Sequence, residues 1–122
     1  LLEMAGQEVP ATMQGASLLP LLSNSLEELW RTAIYYHYQE YNEGRTSHRV
    51  AEHYGIRTER YKLMYIYRHD AWEFYDLQTD PDEMNNLIND PVQADEIKYM
   101  KQRLKDLREQ FGDTMGTEFV IE

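Results

Sequence analysis

Tyrosine is concentrated in one part of this chain, and that concentration restricts the fold more than any other feature. Eight of the ten tyrosines lie between Tyr35 and Tyr67. Tyrosine favours the pleated, half-buried surface of a β-sheet, as β-branched residues do. The pattern predicts four strands, over 33–40, 51–57, 61–67 and 72–77.

The third predicted strand is apolar on both of its faces. Leu63 and Tyr65 share one face, and Met64 and Ile66 lie on the other. Such a strand is expected to be central and covered on both sides. Short polar turns separate the last three strands, which predicts an antiparallel meander.

The clearest helix signal begins at Asp90, a candidate cap, with Pro91 suited to the first helical position. Apolar residues then recur at helical spacing until Gly112. They are Ile97, Met100, Leu104, Leu107 and Phe111. The fold class predicted is α+β: about four antiparallel strands packed against one long C-terminal helix, preceded by an irregular N-terminal arm.

The arm begins with an apolar stub that has no capping residue before it, and Gly6 ends the stub as a helix C-terminal glycine would. Shorter helical pieces are predicted over 17–22, from a cap at Ser25, and over 83–87. Exposure of the stub would favour self-association, which we expect of the chain on its own.

Composition excludes several classes of function. Twenty-two acidic residues against twelve basic ones give a net charge of -10, which opposes binding to nucleic acid. No segment approaches the roughly 18 to 20 apolar residues that span a bilayer, and no signal-peptide pattern is present, so we expect no membrane partner. Without cysteine there are no disulfides, thiol nucleophiles or zinc–thiolate sites.

Motifs for catalysis or metal binding are also missing. There is no Gly-x-Ser-x-Gly elbow, no phosphate-binding glycine-rich loop and no His-Glu-x-x-His. The four histidines lack paired metal-ligand spacing. The acidic group that begins at the end of the fourth strand matches no EF-hand loop, so we expect a turn there and no metal site. That group comprises Asp76, Asp80, Asp82 and Glu83.

Four segments follow one another in a recognisable order. Residues 1–6 and 13–22 read L-L-E-M-A-G and M-Q-G-A-S-L-L-P-L-L. Residues 57–63 and 74–87 read R-T-E-R-Y-K-L and F-Y-D-L-Q-T-D-P-D-E-M-N-N-L. All four resemble motifs of the sulfatases of the alkaline-phosphatase-like superfamily, with Phe74 where leucine is usual. In that family the first two close the catalytic domain, and the last two belong to the C-terminal subdomain.

The resemblance implies a division of the chain and of the chemistry. Residues 1–30 would be an arm left from the end of the catalytic domain, and residues 31–122 the C-terminal subdomain. Sulfatases use a formylglycine made within a C/S-x-P-x-R motif, beside a calcium ion held by the large domain. No such motif occurs in this chain. The resemblance therefore implies no catalytic residue here, a missing N-terminal catalytic domain as partner, and a periplasmic or secreted protein.

Two further segments suggest a substrate. Residues 36–41 read Y-H-Y-Q-E-Y and residues 48–58 read H-R-V-A-E-H-Y-G-I-R-T. They look like a signature of N-acetylglucosamine-6-sulfatase-like enzymes, in which the small subdomain helps hold a sulfated sugar. Aromatic faces stack on sugar rings, while imidazole, carboxylate and guanidinium groups bond hydroxyls and sulfate. The substrate-binding residues implied are His48, His53, Glu40, Tyr41 and Arg57.

Two alternatives stay open from the sequence. A tyrosine-rich sheet also suits a stand-alone carbohydrate- or protein-binding module. Phosphonate or phosphate ester hydrolases of the same superfamily share part of the C-terminal pattern, and only a catalytic domain would separate them from sulfatases.

Overall fold

The computed structural model describes residues 1–22, 30–39 and 50–121. The chain divides into two compact units, Leu1–Thr32 and Ala33–Glu122. Glu40, Tyr41, His48 and the helix predicted from Ser25 lie outside the described residues. Among the described helices, none is long and apolar enough to cross a membrane.

The first unit contains two short helical turns. A 3-10 turn spans Glu3–Ala5 and ends at Gly6, whose φ of 68° and N–H bond to the Glu3 carbonyl close it as predicted. Helix α1 spans Leu19–Leu22, and the Ser17 hydroxyl accepts a hydrogen bond from the Leu19 N–H at 3.2 Å. A serine hydroxyl at this position satisfies an N–H that the helix itself leaves free.

The second unit is built on a four-stranded antiparallel sheet in the order β1-β2-β3-β4. Its strands are β1 Ile34–Tyr38, β2 His53–Arg57, β3 Tyr61–Ile66 and β4 Ala71–Asp76. Each strand pairs with the next along the chain, so the sheet is a simple meander. The predicted α+β class is confirmed.

Helix α2, Ala94–Gln110, covers one face of the sheet. A 3-10 turn over Pro91–Gln93 leads into it, and the Asp90 carboxylate accepts a hydrogen bond from the Val92 N–H at 2.9 Å, as expected of a cap. The buried helix residues Ile97, Met100 and Leu104 pack against buried strand residues Tyr54, Ile56, Leu63, Tyr65 and Phe74. Each such side chain stabilises the fold by about 1.5–3 kcal/mol before ordering entropy is subtracted.

Alternate strand residues point to the opposite side of the sheet, away from α2. We call this side the open face and define it by Tyr36, Tyr38, His53, Met64, Ile66 and Tyr75. The loop after β4 approaches this face through the 2.5 Å contact between Lys62 and Glu83, and Tyr75 is buried on the same side. Met64 and Ile66 remain partly exposed. The second cover predicted for the third strand is not supplied by the described part of this unit.

The helical fragment predicted over 83–87 is wrong, because this segment bonds to the outer edge of β4 instead. The Asn86 side-chain oxygen accepts from the Phe74 N–H at 3.0 Å, and its amide nitrogen donates to the Trp72 carbonyl at 3.1 Å. The Leu87 N–H donates to the Phe74 carbonyl at 2.8 Å. The side chain of Asn86 thus replaces a neighbouring strand at an edge that would otherwise stay unpaired.

Candidate functional site

His53 is the best-defined of the residues predicted to bind substrate. It begins β2 on the open face, with its ring stacked on Tyr38 at 5.5 Å between centroids and edge-on to Tyr36 at 5.9 Å. Its Nδ1 lies 2.8 Å from the Ala51 carbonyl oxygen. A carbonyl only accepts, so Nδ1 carries the proton and a neutral His53 presents Nε2 as an acceptor. A ring held in this way could bond a ligand hydroxyl.

Arg57 ends the same strand and is exposed. It lies on the same face as His53, because the two are four residues apart, and the strand separates them by roughly 13 Å. The structure therefore places Arg57 and His53 at opposite ends of one strand and does not bring them together around a single group. Glu40, Tyr41 and His48 lie outside the described residues.

A second polar cluster, on the helix side of the sheet, joins β1 to the chain after α2. His37 Nδ1 lies 2.6 Å from Asp113 Oδ2, and the Tyr35 hydroxyl donates to the same oxygen. On its other side, His37 Nε2 lies 3.3 Å from the Tyr67 hydroxyl. Since the carboxylate only accepts, Nδ1 donates to Asp113; in a neutral His37, Nε2 would then accept from Tyr67.

Burial and hydrogen bonding shift the pKa values of Tyr35 and Asp113 in opposite directions. Burial above all, and then the hydrogen bond to Asp113, raises the pKa of Tyr35 well above its ordinary value, so its phenol stays neutral. Burial alone would raise the pKa of Asp113, but hydrogen bonds from Tyr35 and His37 outweigh it and lower that pKa. An ionised carboxylate held by two donors fits a structural role, and we call the cluster of Tyr35, His37 and Asp113 the latch.

Arg108 extends the latch along the tail. Its guanidinium lies 3.9 Å from the centroid of the Tyr54 ring and donates to the carbonyls of Asp113 and Met115. The Tyr54 hydroxyl donates to the Thr117 carbonyl at 2.6 Å. Further along, Phe119 packs edge-on against Trp72. These contacts hold the chain after α2 against the aromatic residues of the sheet. The cation–π contact is favourable because Arg108 is largely removed from water.

No sequence motif indicates this latch. His37 and Asp113 are 76 positions apart, and neither sits in a spacing that indicates a pair. Arg108 follows the buried Leu104 by four positions on α2, so helical spacing alone could have placed it on the buried face.

The comparisons with known proteins decide the family. Residues 1–110 match the family model described as "N-sulphoglucosamine sulphohydrolase, C-terminal". The chain belongs to this family. It is a sulfatase C-terminal subdomain, and the resemblance read from its motifs is confirmed.

Individual relatives of this sulfatase subdomain agree with the family. The N-acetylglucosamine-6-O-sulfatase of Bacteroides thetaiotaomicron is 44% identical over 92% of the chain, which spans 20% of that relative. The structure of BT4656 in complex with its substrate D-glucosamine-2-N, 6-O-disulfate superposes with a TM-score of 0.85 at 43% identity, over 94% of this chain and 23% of that one. The phosphonate monoester hydrolase of Agrobacterium radiobacter gives 0.63 at 26% identity, over 79% and 20%.

The sulfatase family implies calcium and formylglycine for a full-length enzyme, but the described residues of this chain do not fit a calcium ion and its sequence does not fit a formylglycine. Its described residues contain no group of three or more His, Asp or Glu side chains placed to hold a metal ion. The acids considered for calcium are engaged elsewhere: Asp76 is bound by Arg60, Asp80 accepts from the N–H groups of Met84 and Asn85, and Glu83 contacts Lys62. The sequence also lacks the C/S-x-P-x-R motif.

Proposed function

We propose that this subdomain belongs to a sulfuric ester hydrolase, in which it completes the fold and forms one wall of a pocket for a sulfated sugar. The observation that carries the proposal is the 44% identity with an N-acetylglucosamine-6-O-sulfatase over 92% of the chain. Because the chain spans only 20% of that relative, the reaction, the substrate and the remaining domain are parts of the proposal. Cleavage would take place in the domain that carries the nucleophile and metal site, and the 122-residue chain alone would be inactive.

The pocket wall is assigned to His53, with His48, Glu40, Tyr41 and Arg57 as its further members. Support comes from Nε2 of His53, which has no hydrogen-bond partner within the described ranges, and from the Tyr36 and Tyr38 rings that hold its orientation. A sugar hydroxyl donating to Nε2 would be positioned by a ring that cannot turn without breaking the bond to Ala51.

Replacing His53 or His48 by Ala in the full-length enzyme tests this assignment. Lost positioning of a substrate group is expected to lower kcat/KM on 6-O-sulfated N-acetylglucosamine by more than about tenfold. His69→Ala is the matched control, since His69 is exposed in the turn between β3 and β4. Kinetics unchanged in both variants would make the two histidines structural.

The competing function is hydrolysis of phosphonate esters, favoured by the structural likeness to a phosphonate monoester hydrolase. The two functions are distinguished by measuring the turnover of a sulfate ester and of a phosphonate monoester with one preparation of the full-length protein. We expect the sulfate ester to be preferred, because the more similar relative is a sulfatase.

A further inference from the structure

Asp113 is held in place from several directions at the end of α2. Its N–H donates to the Arg108 carbonyl at 2.9 Å across the turn at Gly112, a bond that commonly closes the C-terminus of a helix. The Arg108 guanidinium donates to the Asp113 carbonyl, and Oδ1 of the Asp113 side chain accepts from the Met115 N–H at 3.0 Å. The end of the helix therefore fixes the position of the other carboxylate oxygen, Oδ2.

This oxygen binds two residues of β1 that point to the same side of the sheet. The Tyr35 hydroxyl and Nδ1 of His37 both donate to Oδ2 of Asp113. They share a side because alternate residues of a strand do so. β1 is the first strand in the sheet order, and among the described strands it pairs only with β2. The latch therefore ties the outermost strand to the end of α2.

The opposite side of β1 orients the ring of His53. The Tyr38 ring stacks on His53, and the Tyr36 ring lies edge-on to it. Tyr38 follows His37 directly in the chain and is the register partner of His53 across the strand pair. A shift or rotation of β1 would move both tyrosine rings, so the orientation of His53 depends on how firmly β1 is held.

We propose that Asp113 is a positioning residue for the pocket wall and acts on His53 through β1. This inference rests on the proposed function, because it takes the role of His53 from there. Asp113 does not touch the substrate: its carboxylate holds Tyr35 and His37, and their strand carries the rings that orient His53. A misplacement of about 1 Å can cost on the order of a hundredfold in rate, so a tether remote from the substrate is enough to affect hydrolysis.

The ring resonances of His53 in the full-length protein, followed by NMR with isotope-labelled histidine, test whether Asp113 controls its position. Loss of a signal in His53→Ala identifies it, and Tyr38→Leu marks the position that the signal takes without the stacked ring. In Asp113→Asn we expect the signal to move toward that position. Asp106→Asn, on the exposed side of α2, should leave it in place. An unmoved signal in folded Asp113→Asn protein would overturn the inference.

Sulfate release by the same full-length variants measures the consequence for hydrolysis. Asp113→Asn is expected to lower kcat/KM on 6-O-sulfated N-acetylglucosamine by more than about threefold. In a protein that already carries His53→Ala, Asp113→Asn should cause little further loss, because the two residues act in one chain of contacts. A role in fold stability alone would give the same factor of loss with or without His53, and that result contradicts the proposal.

Tyr35→Phe is the second variant, for the case that Asp113→Asn does not fold. It removes one donor to the carboxylate and keeps the ring that stacks on Phe111. We expect the His53 signal to move in the same direction by a smaller amount, and an unmoved signal in folded Tyr35→Phe protein would count against the inference.

The two readouts keep this inference apart from the proposed function. A full-length protein in which Asp113→Asn moves the His53 signal, but which releases no sulfate, contradicts the proposed function and leaves the positioning role standing. A protein that releases sulfate while Asp113→Asn leaves the signal unmoved contradicts the positioning role alone.

Discussion

The Nδ1 atom of His37 lies 2.6 Å from Oδ2 of Asp113, although the two residues are 76 positions apart. This contact fastens the tail after α2 to β1, the outermost strand on that side of the sheet. The two side chains are 6% and 12% exposed, so the pair is largely removed from water. Breaking one partner of such a pair leaves the other without its bond, which costs more than an exposed ion pair would.

Asp113→Asn is therefore expected to lower the free energy of unfolding by about 1–3 kcal/mol, because Tyr35 and His37 lose a charged acceptor. Urea unfolding followed by tyrosine fluorescence measures the change. Asp106→Asn is the matched control, since Asp106 is exposed and accepts a hydrogen bond from Gln102 one turn away. Equal stability of the two variants would show that the latch contributes nothing.

Acid should weaken the contact between His37 and Asp113, and also the ion pair between Arg60 and Asp76. Hydrogen bonds from Arg60, against the effect of burial, hold the pKa of Asp76 below its ordinary value, and the donors described above do so for Asp113. Both carboxyls therefore bind a proton more weakly when folded. Their stabilising contribution is complete above the unfolded pKa of about 4 and is lost as the pH falls through the lower folded values.

The free energy of unfolding, measured from about pH 6 down to about pH 2, should fall over the acidic end of that range. In Asp113→Asn the fall should be shallower, because one of the two groups no longer titrates. A variant curve parallel to that of the unaltered chain would contradict this assignment of the pH dependence.

Gly55→Ala should destabilise the fold by about 1–3 kcal/mol through overpacking. The new Cβ would stand 2.5 Å from the Tyr36 hydroxyl oxygen and 2.6 Å from the Leu63 carbonyl oxygen, and the second of these is backbone. Gly15→Ala is the control, since nothing lies within 4 Å of its Cβ position. A thermal midpoint for Gly55→Ala as high as that of the control would mean that Tyr36 does not rest on Gly55.

Asn86→Ala removes the side chain that closes the edge of β4 and should cost about 1–3 kcal/mol, because Phe74 N–H and Trp72 C=O lose their partners. The newly open edge should also make the chain more prone to aggregate. Hydrogen exchange at Phe74 and light scattering measure the two effects. Asn85→Ala is the control, since its side chain makes no hydrogen bond among the described contacts; unchanged exchange at Phe74 would refute the edge role of Asn86.

The elements with local signals could be predicted from the sequence. Asp90 and Pro91 mark the start of the helical segment, and the alternation in β3 marks a strand, because caps and periodicity depend on neighbours in the chain. For residues 83–87 the same reasoning predicted a helix that does not form. Their amide groups bond to β4, and positive φ at Glu83, 54°, breaks the helical path that composition favoured.

The candidate site was only partly accessible to sequence reasoning. His53 came from the motif resemblance, but its orientation depends on Tyr36 and Tyr38 across the strand pair, and its separation from Arg57 follows from strand geometry. The contact between His37 and Asp113 depends on how the tail returns over the sheet. A periodic pattern cannot predict this contact, because His37 and Asp113 come together only when α2 packs on the sheet.

We propose that this subdomain supports sulfate ester hydrolysis without carrying it out. Release of sulfate from 6-O-sulfated N-acetylglucosamine, measured side by side for the 122-residue chain and for the full-length protein, tests it most directly. We predict release by the full-length protein and none above background by the 122-residue chain. Sulfate release by the 122-residue chain alone, or none by the folded full-length protein, would contradict the claim.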